Sequence, residues 1–204
     1  MLGIRRPAAR LALAAAAAMA LAACSDVIGP SGGGSISFTH TGVLAGDYSA
    51  SGAVHWASLL PPVPDYGTYA LAVQGTVNGG SGDQPFVSIT GFHATTSPNG
   101  DFLNLSVTGL TGPGQVGFGA ACSSGGPCAG GTFRPDARFQ PDSLDPYAAT
   151  TYDFQFVNGT VTITSMDSKT VSGTFSGTAV DVNDPSKTVT VTNGTFDVKF
   201  ATGL

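Results

Sequence analysis

The chain has 204 residues, and only 10 % of them are charged, against about 25 % in ordinary soluble domains. Its thirteen acidic residues are all Asp, with no Glu, against eight Lys and Arg. So few strong helix formers and cations exclude a charged helical bundle, and also a nucleic-acid binder, which must neutralise phosphates. Gly (29), Thr (23) and Ser (19) together supply about a third of the chain. These residues suit turns and strands.

The first 23 residues read as a targeting segment. Arg5, Arg6 and Arg10 form a basic start, and Leu11 to Ala23 is an uncharged apolar run. That run fits the core of a signal peptide, about 7–15 residues, and is too short to span a bilayer. It ends in Leu21-Ala22-Ala23-Cys24. This tetrapeptide resembles the lipobox of bacterial lipoproteins. The resemblance implies cleavage before Cys24, a thioether-linked diacylglycerol on its sulfur, and acylation (palmitate-type) of the new N-terminus. The partner so implied is the lipid bilayer, because two or more acyl chains make a stable anchor. Ser25 follows the Cys, and Asp26 comes one place too late to resemble an inner-membrane retention signal. The outer membrane of the cell envelope is therefore favoured over the inner membrane. Removing the leader leaves 181 residues with five cations and thirteen aspartates, a net charge of −8.

Ser25 to Gly34 (SDVIGPSGGG) reads as a flexible linker, so the expected boundaries are leader 1–23, lipidated Cys and linker 24–34, and domain 35–204. Gly29-Pro30-Ser31-Gly32-Gly33 matches G-x-S-x-G, but no strand precedes it and no helix follows, as a nucleophile elbow requires. Apolar residues then recur with period 2: Ile36/Phe38, Tyr69/Leu71/Val73, Val87/Ile89, Leu103/Leu105/Val107 and Val116/Phe118/Ala120. The C-terminal third continues with Tyr152/Phe154/Phe156, Val161/Ile163, Val171 to Ala179, Val189/Val191 and Phe196/Val198/Phe200. Asn158-Gly159 and Asn193-Gly194 read as type I′ turns of two hairpins. The expected fold is all-β: one antiparallel β-sandwich domain of about nine to eleven strands, with an up-and-down β-barrel as the alternative. Two Pro-rich stretches, Trp56–Tyr66 and Gly130–Thr150, read as long loops, the second with a helical turn after Pro141.

Three cysteines are an odd number. Lipidation of Cys24 leaves Cys122 and Cys128, whose pairing as a disulfide across a Gly-rich loop suits an exported chain. A redox pair would normally show C-x-x-C spacing, and a metal site would need two more ligands.

Residues Gly159–Asp167, Val171–Ala179 and Thr192–Phe196 form a run "IT-x-x-D … GTF-x-x-x-A … TNG-x-F". With the lipobox, this run resembles an uncharacterised family of small β-rich bacterial lipoproteins. The resemblance covers about 40 residues and carries no activity.

No catalytic motif, cofactor motif or metal-ligand spacing is present. His40, His55 and His93 are scattered. Asp136, Asp142, Asp145 and Asp153, and the run Asp181-Val182-Asn183-Asp184, could offer oxygens to calcium, but Asp/Asn/Pro turns explain them as well. Trp56, Tyr66 and Tyr69 could stack on a sugar or peptide, while Leu59 and Leu60 could plug the core. The functional expectation is a membrane-anchored envelope lipoprotein with a structural role or binding a protein or glycan. The alternatives are a carrier of an apolar molecule inside a barrel, and a hydrolase whose residues meet only in the fold. An apolar cavity would separate the carrier from the others.

Overall fold

The structure, a computed structural model, describes residues 30–55, 67–79, 82–96, 99–119, 126–139 and 147–201. Among the described residues there is no helix. Thirteen strands follow in chain order. The first six are β1 (Pro30–Ser31), β2 (Gly34–Gly42), β3 (Gly46–Ser51), β4 (Val54–His55), β5 (Tyr69–Gly79) and β6 (Gly82–Thr96). Then come β7 (Asn99–Thr108), β8 (Gly114–Gly117), β9 (Cys128–Phe139) and β10 (Tyr147–Ala148). The last three are β11 (Phe154–Met166), β12 (Thr170–Asp181) and β13 (Thr188–Lys199).

Eleven strands form one antiparallel sheet, with the path β3-β2-β13-β12-β11-β9-β7-β6-β5 and with β8 and β10 attached to β11 and β9. Sequence neighbours mostly pair, but β2 lies against β13, so the beginning and end of the domain sit side by side. The sheet then bends until its two ends meet. Ala70 in β5 donates its N–H to Gly52 O at 3.0 Å and accepts from Gly33 N at 2.9 Å. Ala201 N donates to Ala72 O at 2.7 Å. The all-β expectation thus holds, as a nearly closed barrel whose opposite walls face each other like the layers of a sandwich.

Period-2 alternation explains the interior. Ile36, Phe38, Leu103, Leu105, Phe133, Phe154, Val161, Ile163, Phe175 and Phe196 all point inward into one core. Phe38 of β2 meets Phe133 of β9 edge-on at 5.2 Å and Phe175 of β12 at 5.7 Å, so rings bridge the walls. Outside, β11 to β3 present hydroxyls in register: Thr162, Thr174, Thr195, Ser37 and Ser49 form one row across five strands. Apolar inside and hydroxylated outside is the inverse of a lipid-embedded barrel.

Two sequence expectations are corrected. Asn158-Gly159 and Asn193-Gly194 do not turn the chain; they lie within β11 and β13, where the pairing register shifts. Both carry positive φ, +107° at Gly159 and +54° at Asn193. A bulge uses the same left-handed conformation as a type I′ turn, so one dipeptide serves either. The reversals fall instead at Asp167, whose carboxylate accepts from Lys169 N at 2.7 Å and Thr170 N at 2.8 Å, and at Val182–Lys187 around Asp184. Second, the stretch expected as a loop from Gly130 is strand β9 as far as Phe139. Its Pro135 is tolerated because the β7–β9 register shifts there, with Asp136 at φ +55°. Within the expected linker, Pro30–Ser31 pair with Val54–His55, and Gly34 opens β2. The expected turn after Pro141 lies outside the described residues.

Candidate binding cleft

Past Ala72, β5 leaves the seam but stays paired with β6, which itself pairs with β7 as far as Phe86–Thr108; only Thr76–Gly79 and Gly82–Pro85 run on as a short two-stranded tip. Alternation carries on along β5, so Gln74 and Thr76 face the same side as the inward Ala70 and Ala72. β7 is followed by Gly109, which has φ +79° and donates its N–H to Pro85 O at 2.8 Å. A Cβ at Gly109 would stand 2.8 Å from Pro127 Cα, so both the conformation and the space require glycine. This turn lays Leu110 on the core, and Met166 at the end of β11 packs there too. Between these parts lies a cleft of about 380 Å³, lined by Gln74, Thr76, Phe86, Val87, Leu110 and Met166 with their neighbours. None of the described residues that line it is titratable. The surface therefore offers apolar contact, a pliable thioether and a few amide and hydroxyl groups. These groups suit contact with an apolar moiety.

A second hollow of about 350 Å³ lies on the hydroxylated face, lined by Thr160, Thr174, Ser176, Asn193 and Thr195 among others. Hydroxyls and an amide border it together with Phe175, and it sits where the Asn193 bulge breaks the β13 ladder.

On the other flank, an apolar cluster covers the outside of the sheet. Tyr69, Leu71, Phe92, Phe102 and Ala137 are buried there, with Tyr147 packed over them. Tyr147 stacks on Phe102 at 4.4 Å and its hydroxyl bonds that of Tyr69. Arg134 locks this cover. Its Nε and Nη2 donate to the two Asp153 oxygens at 2.9 and 3.0 Å, and its Nη1 donates to Tyr147 O at 2.8 Å. Burial, then the neighbouring Tyr147, pushes the Tyr69 hydroxyl well above the ordinary phenol range. Of the three aromatics offered as a stacking platform, Tyr69 is thus a packing residue, and Trp56 and Tyr66 lie outside the described residues, as do Leu59 and Leu60.

Among the described residues, the remaining sequence candidates do not assemble. His40 packs its ring 5.2 Å from Phe133, and its Nδ1 is 3.4 Å from Leu44 O. His93 lies opposite Asp101 across β6 and β7, and its buried Nδ1 has no partner. His55 belongs to β4. Among the described residues no serine or cysteine hydrogen-bonds a histidine. Asp153 is engaged by Arg134, and the Asp136 N–H donates to Asp101 Oδ1 at 3.0 Å. Asp181 and Asp184 accept backbone N–H groups two residues on, as Asx turns do. Asp142 and Asp145 lie outside the described residues. Among the described residues no three His, Cys or Asp side chains are grouped to hold a metal.

Cys128 opens β9, is buried, and has its sulfur 3.3 Å from Thr108 Oγ1. Cys122 and Cys24 lie outside the described residues. The cleft residues were not legible in sequence. Phe86, Leu110 and Met166 are separated by tens of residues and share no motif. Leu110 alone left a trace, a lone leucine between two glycines after a strand.

Compared with family models, with curated proteins and with solved structures, the chain finds no match.

Proposed function

We propose that the chain is a lipid-anchored bacterial envelope protein whose β-domain binds an apolar ligand, or the apolar side chain of a partner, at the rim of the barrel. The cleft between Val87, Leu110 and Met166 carries this reading. Its volume of about 380 Å³ falls within the range of small-molecule sites, about 300–1,000 Å³. The barrel axis is occupied by packed rings such as Phe38, Phe133 and Phe175, which favours a rim site over carriage inside the lumen. The anchor rests on the lipobox-like Leu21–Cys24 and on the basic and apolar segments before it. A disulfide between Cys122 and Cys128 would tie the Gly-rich segment between them to the start of β9.

The binding test is titration of the leaderless protein with a neutral fluorescent naphthylamine. A saturable signal is expected, and Met166→Lys should abolish it while leaving thermal unfolding in place. An equal saturable signal in Met166→Lys would remove the cleft from consideration. Metabolic fatty-acid labelling should disappear in Cys24→Ala, and label retained there would refute the anchor. Alkylation of the exported, non-reduced protein should leave Cys122 and Cys128 unmodified.

A further inference from the structure

Among the described residues, the sheet has an unguarded edge at β5. β5 ends the strand order and is hydrogen-bonded to β6 along its whole length without a register shift. On its other side the seam uses the backbone groups of Ala70 and Ala72. In a pleated strand the outward groups repeat at every second residue, so Gln74, Thr76 and Asn78 present the next N–H and C=O groups along that edge. Among the described residues, no backbone partner reaches them there. Sheets normally blunt such an edge with Lys, Pro, a bulge or an inward charge. The stretch Val73-Gln74-Gly75-Thr76-Val77-Asn78 has none of these. It also exposes Val77, 38 % accessible, on the outer face beside the half-buried Val73.

We propose that this edge pairs antiparallel with the same edge of a second copy, about a two-fold axis at Gly75. The stretch is complementary to itself. Centring the pair on Gly75 sets Gln74 against Thr76 of the second copy and Thr76 against its Gln74, as hydrogen-bonded pairs. It also sets Val73 against Val77 of the second copy, twice, as non-hydrogen-bonded pairs, where side chains approach most closely. The residue on the axis is glycine, so no side chain stands on the axis itself; the Phe86 ring lies beside it, 3.1 Å from where a Cβ would be. The protein after leader removal has a net charge of −8, which opposes association in general, yet β5 carries no charge at all. This edge is therefore a place where two copies can meet without like charges facing each other. The second copy's Gln74 and Thr76 fall on the same side of the extended sheet as this copy's, which places them at the border of the cleft. A symmetric, isologous contact of this kind closes on itself and stops at two. The proposal depends neither on the anchor nor on a cleft ligand.

The test uses the full chain in the envelope of an expressing bacterium. Gly75→Cys places two sulfurs across the axis in an oxidising compartment, and non-reducing electrophoresis should show a dimer band. Val43→Cys, exposed in the β2–β3 turn, should give little. Adding Thr76→Pro removes an outward N–H while sparing the β6 ladder, and should lower the dimer fraction about tenfold, as expected for losing two symmetry-related backbone hydrogen bonds. Sedimentation of the detergent-solubilised wild-type chain gives a second measure and should report a mass of two chains. No dimer from Gly75→Cys at normal monomer levels, equal dimer from Val43→Cys, or insensitivity to Thr76→Pro would each overturn the pairing. A wild-type monomer with protected Gln74 and Thr76 amides would also overturn it, by showing the edge occupied within one chain.

Discussion

The two halves of the barrel use the same alternation and dress their outsides differently. From β11 through β13 to β2 and β3, each strand buries one side and shows Ser or Thr on the other, as in the row from Thr162 to Ser49. From β5 to β9 the outer side changes along the strand. Ser88, Thr90 and Asn104 form a polar patch, with Asn104 Nδ2 donating to Ser88 Oγ at 2.8 Å and Thr90 Oγ1 at 2.9 Å. Further along lies the apolar cluster of Tyr69, Phe92 and Phe102. A hydroxylated outer face needs only water. An aromatic outer face needs a cover, and β10 with Tyr147 supplies part of it, clamped by Arg134. Stability on the second half should therefore reside partly outside the barrel, which is unusual for a small β-domain.

The largest expected effect tests that difference directly. Phe102→Ala should cost about 3 kcal/mol, the low end for a buried Phe, because it empties the stack under Tyr147. Denaturant unfolding would measure it. A loss below about 1 kcal/mol, the range of ordinary surface change, would mean the outer cluster is decoration. Arg134→Ala should follow at about 2 kcal/mol, since it leaves the partly buried Asp153 without its bidentate partner and frees Tyr147. If β10 is the lid on this flank, its amides near Tyr147 should then exchange faster than those of β11.

Tyr48 joins the two halves. It sits on β3, its ring stacks on Phe38 at 4.7 Å, and a Cβ on Gly91 of β6 would be 2.5 Å from its hydroxyl. That hydroxyl is buried without a partner. Tyr48→Phe should therefore raise stability by about 1 kcal/mol, the cost of an unsatisfied buried group relieved. Burial, then the charge of Asp101, holds the Tyr48 phenol well above its ordinary value of 10.0. A raised folded value means its contribution is complete below pH 10.0 and is lost as pH climbs through the folded value. The phenylalanine variant should accordingly show a flatter alkaline limb of stability. An unchanged limb would count against this account.

On the hydroxylated half, Thr174→Ala should stay within about 0.5 kcal/mol, because its outward side chain meets water. The smallest effect concerns the β11–β12 turn. Hydrogen bonds from Lys169 and Thr170 hold the exposed Asp167 carboxyl below its ordinary 3.8. A lowered folded value makes its contribution complete above pH 3.8, and it fades as pH falls through the folded value. Asp167→Asn should flatten the acid limb in that window alone, as thermal melts between about pH 2 and 5 would show.

Much of the architecture was legible in the chain. Val161/Ile163 and Phe196/Val198/Phe200 predicted inward faces that the barrel does bury. The Asn-Gly pairs misled, because a positive φ marks a bulge as readily as a turn, and only the partner strand decides between them. Gly130–Phe139 misled in another way: its Gly and Pro residues resemble a loop, yet β7 and β11 on either side give it a ladder. The cleft was illegible for a simpler reason. Val87, Leu110 and Met166 meet only because Gly109 turns the chain and β5 leaves the seam.

By itself the sequence determined an all-β domain, since a surplus of Gly, Ser and Thr with period-2 alternation permits little else. It also determined which residues face inward, because alternation is a local property of a pleated chain. Closure of the sheet, the aromatic flank, the cleft and the open edge of β5 were decided by tertiary structure alone. Each depends on which strand lies beside which, and that is set by contacts between residues far apart in the chain.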